Sequence, residues 1–599
     1  MTYKGKILFG FGYDQTSSLV LGGFKWTADE STECSSKDDR ELCTVLRCEP
    51  LDRYMPMRSG TTMWNCLATG TFKIAAESGD KEATCHRWKY LFDGKHNETH
   101  VHQSRAYYNR AVRLTIDCSG IVLGHVCIEI LESFAANLLD PRNPLILESS
   151  DAAKFKIEEQ EIWLSKKVLE SESLFFRKLF TEDAKQKTED SYELKDVKLD
   201  EFKHFLSIIH NVRAPIDKDS IDYLLKLGEL YTCNAVLQRC EDFLQSASDE
   251  DIPREKKLRL ASRFKLHKLL LDDVDEMTDD ELKLLPQIDA KGQFNYGCGR
   301  NLVSSFEIGA FKWTIDEKTG CSSYYKLYTI LRCEPVSREL KPGERSTVVW
   351  NCLAKGMFKL TSKYGKEVTF HHWNCLFDGN HNEAHMHYDK SKFNESIDLA
   401  ERGAKTGVVP DVYGDICIEI LDSFIADLSE PRNSLILEPS DAAKFEIGRQ
   451  EIWRSKKVLG SQSLHFNRLF TRGFGQSEVF YEFGRLELNE VLHFLAIIHN
   501  LRVSIDKNSV EYLLKLGERY TCNAVLRRCE EYLRSAEIRD ISREKKIRLA
   551  NSFKLHELLL DTVDKMTVGE LKLLPHSELS QYVRDLIFQK LVDVDVYGY

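Results

Sequence analysis

Along the first 150 residues, apolar positions come in short runs that alternate with polar ones. MWNCLATGTFK (from Met63) and AVRLTIDCSGIVLGHVCIEIL (from Ala111) are typical: rich in β-branched and aromatic residues and broken by turn formers. A period of two sends alternate side chains to one face of a strand, so this stretch predicts short antiparallel strands stacked as a β-sandwich. After about residue 150 the period changes. In DAAKFKIEEQEIWLSKKVL, Phe155 and Ile157 alternate inward, Glu158 to Gln160 supply a turn, and Ile162 and Trp163 begin a return strand. Further on, Phe202, Phe205, Leu206 and Ile209 fall at i, i+3, i+4, i+7, and Ile221, Leu224, Leu225 and Gly228 repeat that spacing. Both sets predict amphipathic helices with one buried stripe, the second capped by Asp219 or Ser220. PREKKLRLASRFKLHKLLLDDV then predicts a helical pair, with Pro253 at the first helical position.

The same text is written twice. FKWTADE (Phe24 to Glu30) returns as FKWTIDE (Phe311 to Glu317), and LFDGKHNETHVH (from Leu91) as LFDGNHNEAHMH (from Leu376). Between Asp151–Phe180 and Asp441–Phe470 the offset is a constant 290, with 21 of 30 positions identical. A period that long is no solenoid; it duplicates a whole two-part unit. The expected domains are sandwiches at 10–148 and 300–437, strand-and-helix modules at 149–247 and 438–537, and helical extensions at 250–287 and 540–599. The acid-rich stretch Asp272 to Glu281 and the stretch Ile288 to Asn301 are expected to form a hinge.

Composition narrows the function class. In 599 residues, 83 Lys+Arg against 94 Asp+Glu give a net charge of −11, with 42% hydrophobic residues. Such a chain has no basic field for nucleic acid or an anionic membrane. The amino terminus offers only Ile7 to Phe11 as an apolar stretch, and the run from Cys118 to Ile128 is cut by Glu129, so neither an export signal nor a bilayer span is expected. The 17 cysteines show no CxxC pair and read as reduced and mostly buried, in the cytoplasm or nucleus.

Candidate chemistry centres on histidines. His96, Glu98, His100 and His102 recur as His381, Glu383, His385 and His387. On a strand, His100 and His102 share a face, which suits two imidazoles on one metal ion; the alternative is a turn leading to solvent-facing histidines. Nucleophilic chemistry finds no G-x-S-x-G elbow, P-loop or H-E-x-x-H. Cys85 beside His86 becomes Phe370 beside His371 in the second copy. The expectation is a non-enzyme without a cofactor.

The modules resemble the BTB (POZ) fold. The residues that carry the likeness are Asp151, Phe155, Ile157, Ile162, Lys166, Val168, Leu169, Ser173, Phe176, Leu179 and Phe180, then Tyr192 to Val197; Asp441, Phe445, Ile447, Trp453, Lys456, Leu459 and Phe470 repeat it. The combination is similar to the nematode type, in which a MATH-like β-sandwich precedes each BTB domain, so the fold class is multidomain α+β in two copies. The resemblance implies protein partners: BTB domains pair, many recruit a cullin of a RING ubiquitin ligase, and the sandwich holds the client. It points to the charged pairs Asp151–Lys166 and Asp441–Lys456 for pairing, the alternative being ordinary surface ion pairs, and Trp163 and Trp453 join them as interface anchors because tryptophan often serves so. For the tryptophans the alternative is a place in the hairpin core. Toward a cullin it points to Leu179, Phe180, Ala184, Gln186, Leu469, Phe470, Phe474 and Gln476. Ser165 and Ser455 stand where the family usually has histidine. The triplets Ala184-Lys185-Gln186 and Phe474-Gly475-Gln476 lack the acid of the family's apolar-x-Glu motif. A missing carboxylate loses a charge-assisted hydrogen bond of roughly 1.5–3 kcal/mol. Three readings therefore stand, a cullin adaptor, a pairing scaffold without a ligase and, most distant, a metal-binding enzyme built on the sandwich histidines, and with two modules on one chain the pairing is either internal or homodimeric.

Overall fold

The computed structural model describes residues 3–10, 17–31, 43–51, 59–76, 82–102, 122–146, 148–183, 191–272, 291–298, 304–320, 326–336, 347–362, 367–387, 412–436, 438–448, 450–472, 480–483 and 486–597. The chain forms two compact bodies. One holds Met1–Leu169, Lys178–Pro215 and Ser542–Tyr599; the other holds Glu170–Arg177 and Ile216–Ile541.

The first sandwich stacks two four-stranded sheets. Its strands are β1 (Tyr3–Gly10), β2 (Ser17–Leu21), β3 (Phe24–Ser31), β4 (Cys43–Pro50), β5 (Thr62–Ala76), β6 (Glu82–Asp93), β7 (Glu98–His102) and β8 (Val122–Asn137), ordered β1-β8-β5-β6 and β2-β3-β4-β7. Alternation does the packing. Trp26, Trp64, Cys66, Phe72, Trp88, Phe92, Val126 and Ile128 all point into one core, where Trp26 meets Phe92 edge-on at 5.2 Å. The second sandwich repeats this with β12 (Lys291–Cys298), β13 (Ser304–Ile308), β14 (Phe311–Gly320), β15 (Lys326–Pro335), β16 (Val348–Ser362), β17 (Glu367–Asp378), β18 (Glu383–His387) and β19 (Val412–Asp427), and Trp313 meets Phe377 at 5.3 Å. Even the bulges coincide, at Leu67/Ala68 and Leu353/Ala354. The first strand of each sandwich lies ahead of the expected boundaries at 10 and 300: Lys291–Cys298, placed by the sequence in a hinge, pairs with β19. Most of Asp272 to Glu281 lies outside the described residues.

Each module opens with a three-stranded sheet. In the first copy β9 (Ala152–Ile157) runs antiparallel to β10 (Gln160–Ser165), and after helices α1 (Lys166–Glu172) and α2 (Leu174–Asp183), β11 (Ser191–Leu194) joins β9 in parallel. Phe155 and Ile157 are buried as expected. The turn is shorter than expected: Gln160 already pairs with Ile157, which leaves Glu158 and Glu159, and Glu158 is left-handed at φ 54°. Gly448 takes that position in the second copy at φ 63°, the residue type that left-handed backbone favours. Helices α3 (Leu199–Ile209), α4 (Ile221–Leu230) and α5 (Asn234–Ser246) follow, then the extension α6 (Arg254–Phe264) and α7 (His267–Asp272).

Two capping expectations shift. The Asp217 carboxylate, rather than Asp219 or Ser220, accepts from the backbone N–H groups of Asp219 and Ser220 ahead of α4. Pro253 precedes α6 rather than opening it, and its carbonyl accepts from Lys257.

The second module has β20 (Ala442–Ile447), β21 (Gln450–Ser455), α8 (Lys456–Gln462), α9 (Leu464–Arg472), β22 (Phe480–Glu482), α10 (Leu488–Ile498), α11 (Val510–Arg519) and α12 (Asn523–Ser535), followed by α13 (Arg543–Phe553), α14 (His556–Lys565), α15 (Val568–Lys572) and α16 (Gln581–Tyr597). Phe445, Phe466, Phe483 and Tyr520 form its aromatic core, with Phe466 stacked on Tyr520 at 5.1 Å. No helix among the described residues is long and apolar enough to cross a membrane.

Candidate interaction site

The first turn of α8 is built before anything can bind it. Ser455 ends β21 and its hydroxyl accepts from Val458 N–H, while the buried Asp441 carboxylate accepts from the Ser455 hydroxyl and, at 2.7 Å, from Lys457 N–H. The first copy does the same with Ser165, Asp151, Lys167 and Val168. Burial raises the pKa of Asp151, and the Ser165 and Lys167 bonds oppose that rise. Asp151 and Asp441 thus hold the helix start of their own copy. The serines in place of histidine are what allow it, since a hydroxyl donates to the acid and caps the helix at once.

The two copies meet at the far end of these helices, inside the second body. Ser171 and Ser461 Oγ are 3.1 Å apart, and Glu172 accepts from Gln462 Nε2 at 2.5 Å and from Asn500 Nδ2 at 2.8 Å. Lys457 Nζ reaches Glu170 at 2.9 Å. Around them Gln238 Nε2 donates to the Asn500 carbonyl at 3.1 Å, Arg239 pairs with Glu531 at 2.8 Å, and Arg502 with the buried Glu241 at 3.2 Å. Burial, partly offset by the Gln462 bond, raises the pKa of Glu172 to about 7.

Each sandwich is clasped onto a module. In the first body Asn65 Nδ2 donates to the Arg213 carbonyl at 2.6 Å, and Arg213 holds Glu132 at 2.8 Å. In the second, Asp378 accepts from Ser504 N–H at 2.8 Å, and His381 bridges Asp378 (3.2 Å) and Asp506 (3.5 Å). Burial alone would raise the pKa of Asp378, but the bonds from His381 and Ser504 pull it below the ordinary carboxylate value. A cavity of about 110 Å³ lies beside this clasp, lined by Trp350, Asp378, Leu492, His493 and Val503 among others.

The extensions cross over. In the first body, helix α14 of the second copy contacts the first copy: Glu557 binds Arg213 at 2.7 Å and Asp561 binds Lys89 at 2.7 Å. In the second body, Glu241 of the first copy accepts from Lys268 and Leu269 N–H at the start of α7 and also holds Arg502 of the second copy.

BTB and MATH domain-containing protein 38 of Caenorhabditis elegans is 33% identical over 276 residues, 44% of this chain and 67% of that protein. The chain belongs to the BTB and MATH domain-containing family. The BTB/POZ domain pattern matches twice, at residues 149–248 and 440–537. C. elegans BTB and MATH domain-containing protein 36 is 24% identical over 259 residues, 42% of this chain and 75% of that protein. Protein 39 of the series from Caenorhabditis briggsae is 27% identical over 105 residues, 18% of the chain and 30% of that protein.

The structure places most of the pairing and cullin candidates. Trp163 and Trp453 tie BTB to MATH: their backbone N–H groups donate to Leu138 and Leu428, and their carbonyls accept from Asn143 and Asn433. Both rings are half-buried under a lysine, Lys154 at 5.5 Å and Lys444 at 5.8 Å. Phe180 packs inward on Phe155 and Tyr192, and Phe470 on Phe445 and Phe466, while Leu179 and Leu469 are half-buried. The exposed apolar residues of these helices are instead Leu174 (49%) and Leu464 (45%), one at the start of each. Ala184, Gln186, Phe474 and Gln476 lie outside the described residues.

The histidines divide likewise. His96 is held by Asp93 (3.2 Å) and His381 by Asp378, each in the turn before the strand. The backbones of His100 and His102 pair with Val45 and Cys43, and those of His385 and His387 with Ile330 and Tyr328; the side chains of all four lie outside the described residues. Among the described residues no group of three or more His, Cys, Asp or Glu is placed to hold a metal ion.

Sequence reasoning did not single out Glu170, Ser171, Glu172 or Gln462. The signal that could have found them is the offset of 290, which relates Ser171 to Ser461 and Glu172 to Gln462. On a two-fold seam, equivalent positions meet.

Proposed function

We propose that this BTB and MATH protein is a non-enzymatic interaction adaptor whose two BTB domains pair within one chain and carry two MATH arms that hold client proteins. The observation that supports it is the contact of Ser171 with Ser461 and of Glu172 with Gln462 in one compact body, which is how a BTB pair closes without a second chain. The clasps at Arg213, within the first body, and at Asp378–Ser504, within the second, each fix a MATH arm to a BTB segment of its own copy. Light scattering on the purified chain is expected to give the mass of a monomer, and open-ended growth with concentration defeats the reading. Affinity capture from native lysate, scored for enriched clients, tests the arms.

A cullin-RING ligase is the finer assignment for the platform. A pairing scaffold without a ligase is the second reading, favoured by the lost acid in both Ala184-Lys185-Gln186 and Phe474-Gly475-Gln476. Cullin pull-down with the wild-type chain and with Phe474→Ala separates them. An adaptor binds, and the variant loses it; a scaffold captures no cullin in either form.

A further inference from the structure

We propose that Glu172 and Gln462 are specificity determinants that let the first BTB domain accept the second and reject another copy of itself. The inference deepens the internal pair proposed above. Because Ser171 meets Ser461 and Glu172 meets Gln462 at the same offset of 290, the seam is locally two-fold, and each position faces its own equivalent.

Homotypic pairs follow by substitution. Two first copies would bring Glu172 against Glu172 in a place where its side chain is buried and where the groups set against it are Gln462, Asn500 and Cys233, none of them cationic. Two carboxylates sharing a dry site cannot both ionise. Such a pair would hold a Lys167–Glu170 contact on each side where the mixed pair has one, but a partly buried lysine–glutamate pair returns less than a buried like-charge clash removes. Two second copies would place neutral Gln462 on Gln462, but Lys457 would then face Gly460, which stands where the first copy has Glu170. Only the mixed pair has both the amide–carboxylate contact and the lysine–glutamate contact at its centre. The repulsive element is as much a part of the selection as the attractive one.

The test uses the full chain carrying Ser171→Cys and Ser461→Cys, whose side-chain oxygens now sit 3.1 Å apart, with disulfide formation under a glutathione buffer at pH 7.5 read by non-reducing peptide mapping. The cysteine pair is expected to form a disulfide within one chain in most molecules. Adding Gln462→Glu is expected to cut that yield at least fivefold, and adding Glu172→Gln as well, which swaps the two residues, to restore it to within twofold. Glu172→Gln alone is expected to leave the yield within twofold. An unchanged yield with Gln462→Glu, or a swap that fails to recover it, overturns the proposal; the swap also guards against a variant that merely misfolds. A disulfide formed between chains, still sensitive to Gln462→Glu and rescued by the swap, supports the residue pair and refutes the internal platform.

Discussion

Arg454 is a charge with nowhere to go. It sits on β21 with 0% of its surface exposed, and among the described residues none of its three guanidinium nitrogens has a hydrogen-bond partner. The first copy has Leu164 at this position, also fully buried. Burial lowers the Arg454 pKa to about 9. A basic group whose folded pKa is depressed costs stability at every pH below that value, and the cost fades only as pH rises above it. Replacing a buried charge by a well-packed apolar residue stabilises by roughly 1–4 kcal/mol. Arg454→Leu should therefore raise the urea midpoint at pH 7.5 with an unchanged slope; a lower midpoint would mean that the guanidinium has an anionic partner in solution. The inward residues around it, Phe445, Ile447 and Ile452, were legible from alternation alone. Arg454 was not, because a charged residue inside a period-two run reads as the solvent face. Glu172 was hidden for the same reason, as one more polar residue near a helix end.

At the scale of elements, legibility followed the strength of the period. The hairpin after Asp151 and helices α3 and α4 were readable because apolar residues recur there at i+2 or at i+3 and i+4. Strand β12 was not: its sequence, KGQFNYGC, is half polar and glycine-bearing, and only its pairing with β19 makes it a strand. Glycine carries information of a different kind in the sandwich. A Cβ on Gly70 would lie 1.8 Å from the Cys127 carbonyl oxygen, and one on Gly356 2.0 Å from that of Cys417. The obstacle is backbone of the neighbouring central strand, which cannot swing aside as a side chain can. Overpacking of this sort costs about 1–3 kcal/mol and sometimes more. Gly356→Ala should sit at the upper end, about 3 kcal/mol, read as a lowered unfolding midpoint, whereas Gly569→Ala, with open space around it, should help or do nothing.

At the scale of the molecule, the duplication was plain in the sequence, but the crossing of the extensions was not, since no local pattern encodes which copy a helix packs against. The crossing concentrates on Arg213, whose largely buried guanidinium faces both Glu132 and Glu557. Arg213→Ala would leave two carboxylates without their shared cation, a loss of about 2 kcal/mol. Limited proteolysis should then release a carboxy-terminal fragment beginning near Ser542 faster than from wild type. The seam makes a prediction about pH. Glu172 has an ordinary pKa of 4.5 and about 7 in the paired state. Between those values the paired form holds a proton that the open form has released, so pairing is strongest at the acid end and weakens as pH rises to about 7, beyond which it levels. A shift of that size corresponds to about 3 kcal/mol. Asp378 has the opposite sign, being held below its ordinary value, and His381, held above its own by Asp378, loses its contribution as it deprotonates. A raw stability profile mixes these groups. The difference between wild type and Glu172→Gln isolates one, because glutamine keeps the shape and does not titrate. That difference should change by about 2.5 kcal/mol between pH 5 and pH 7.5, wild type losing ground as pH rises; a difference that stays flat across this window means that Glu172 is solvated and the seam is open.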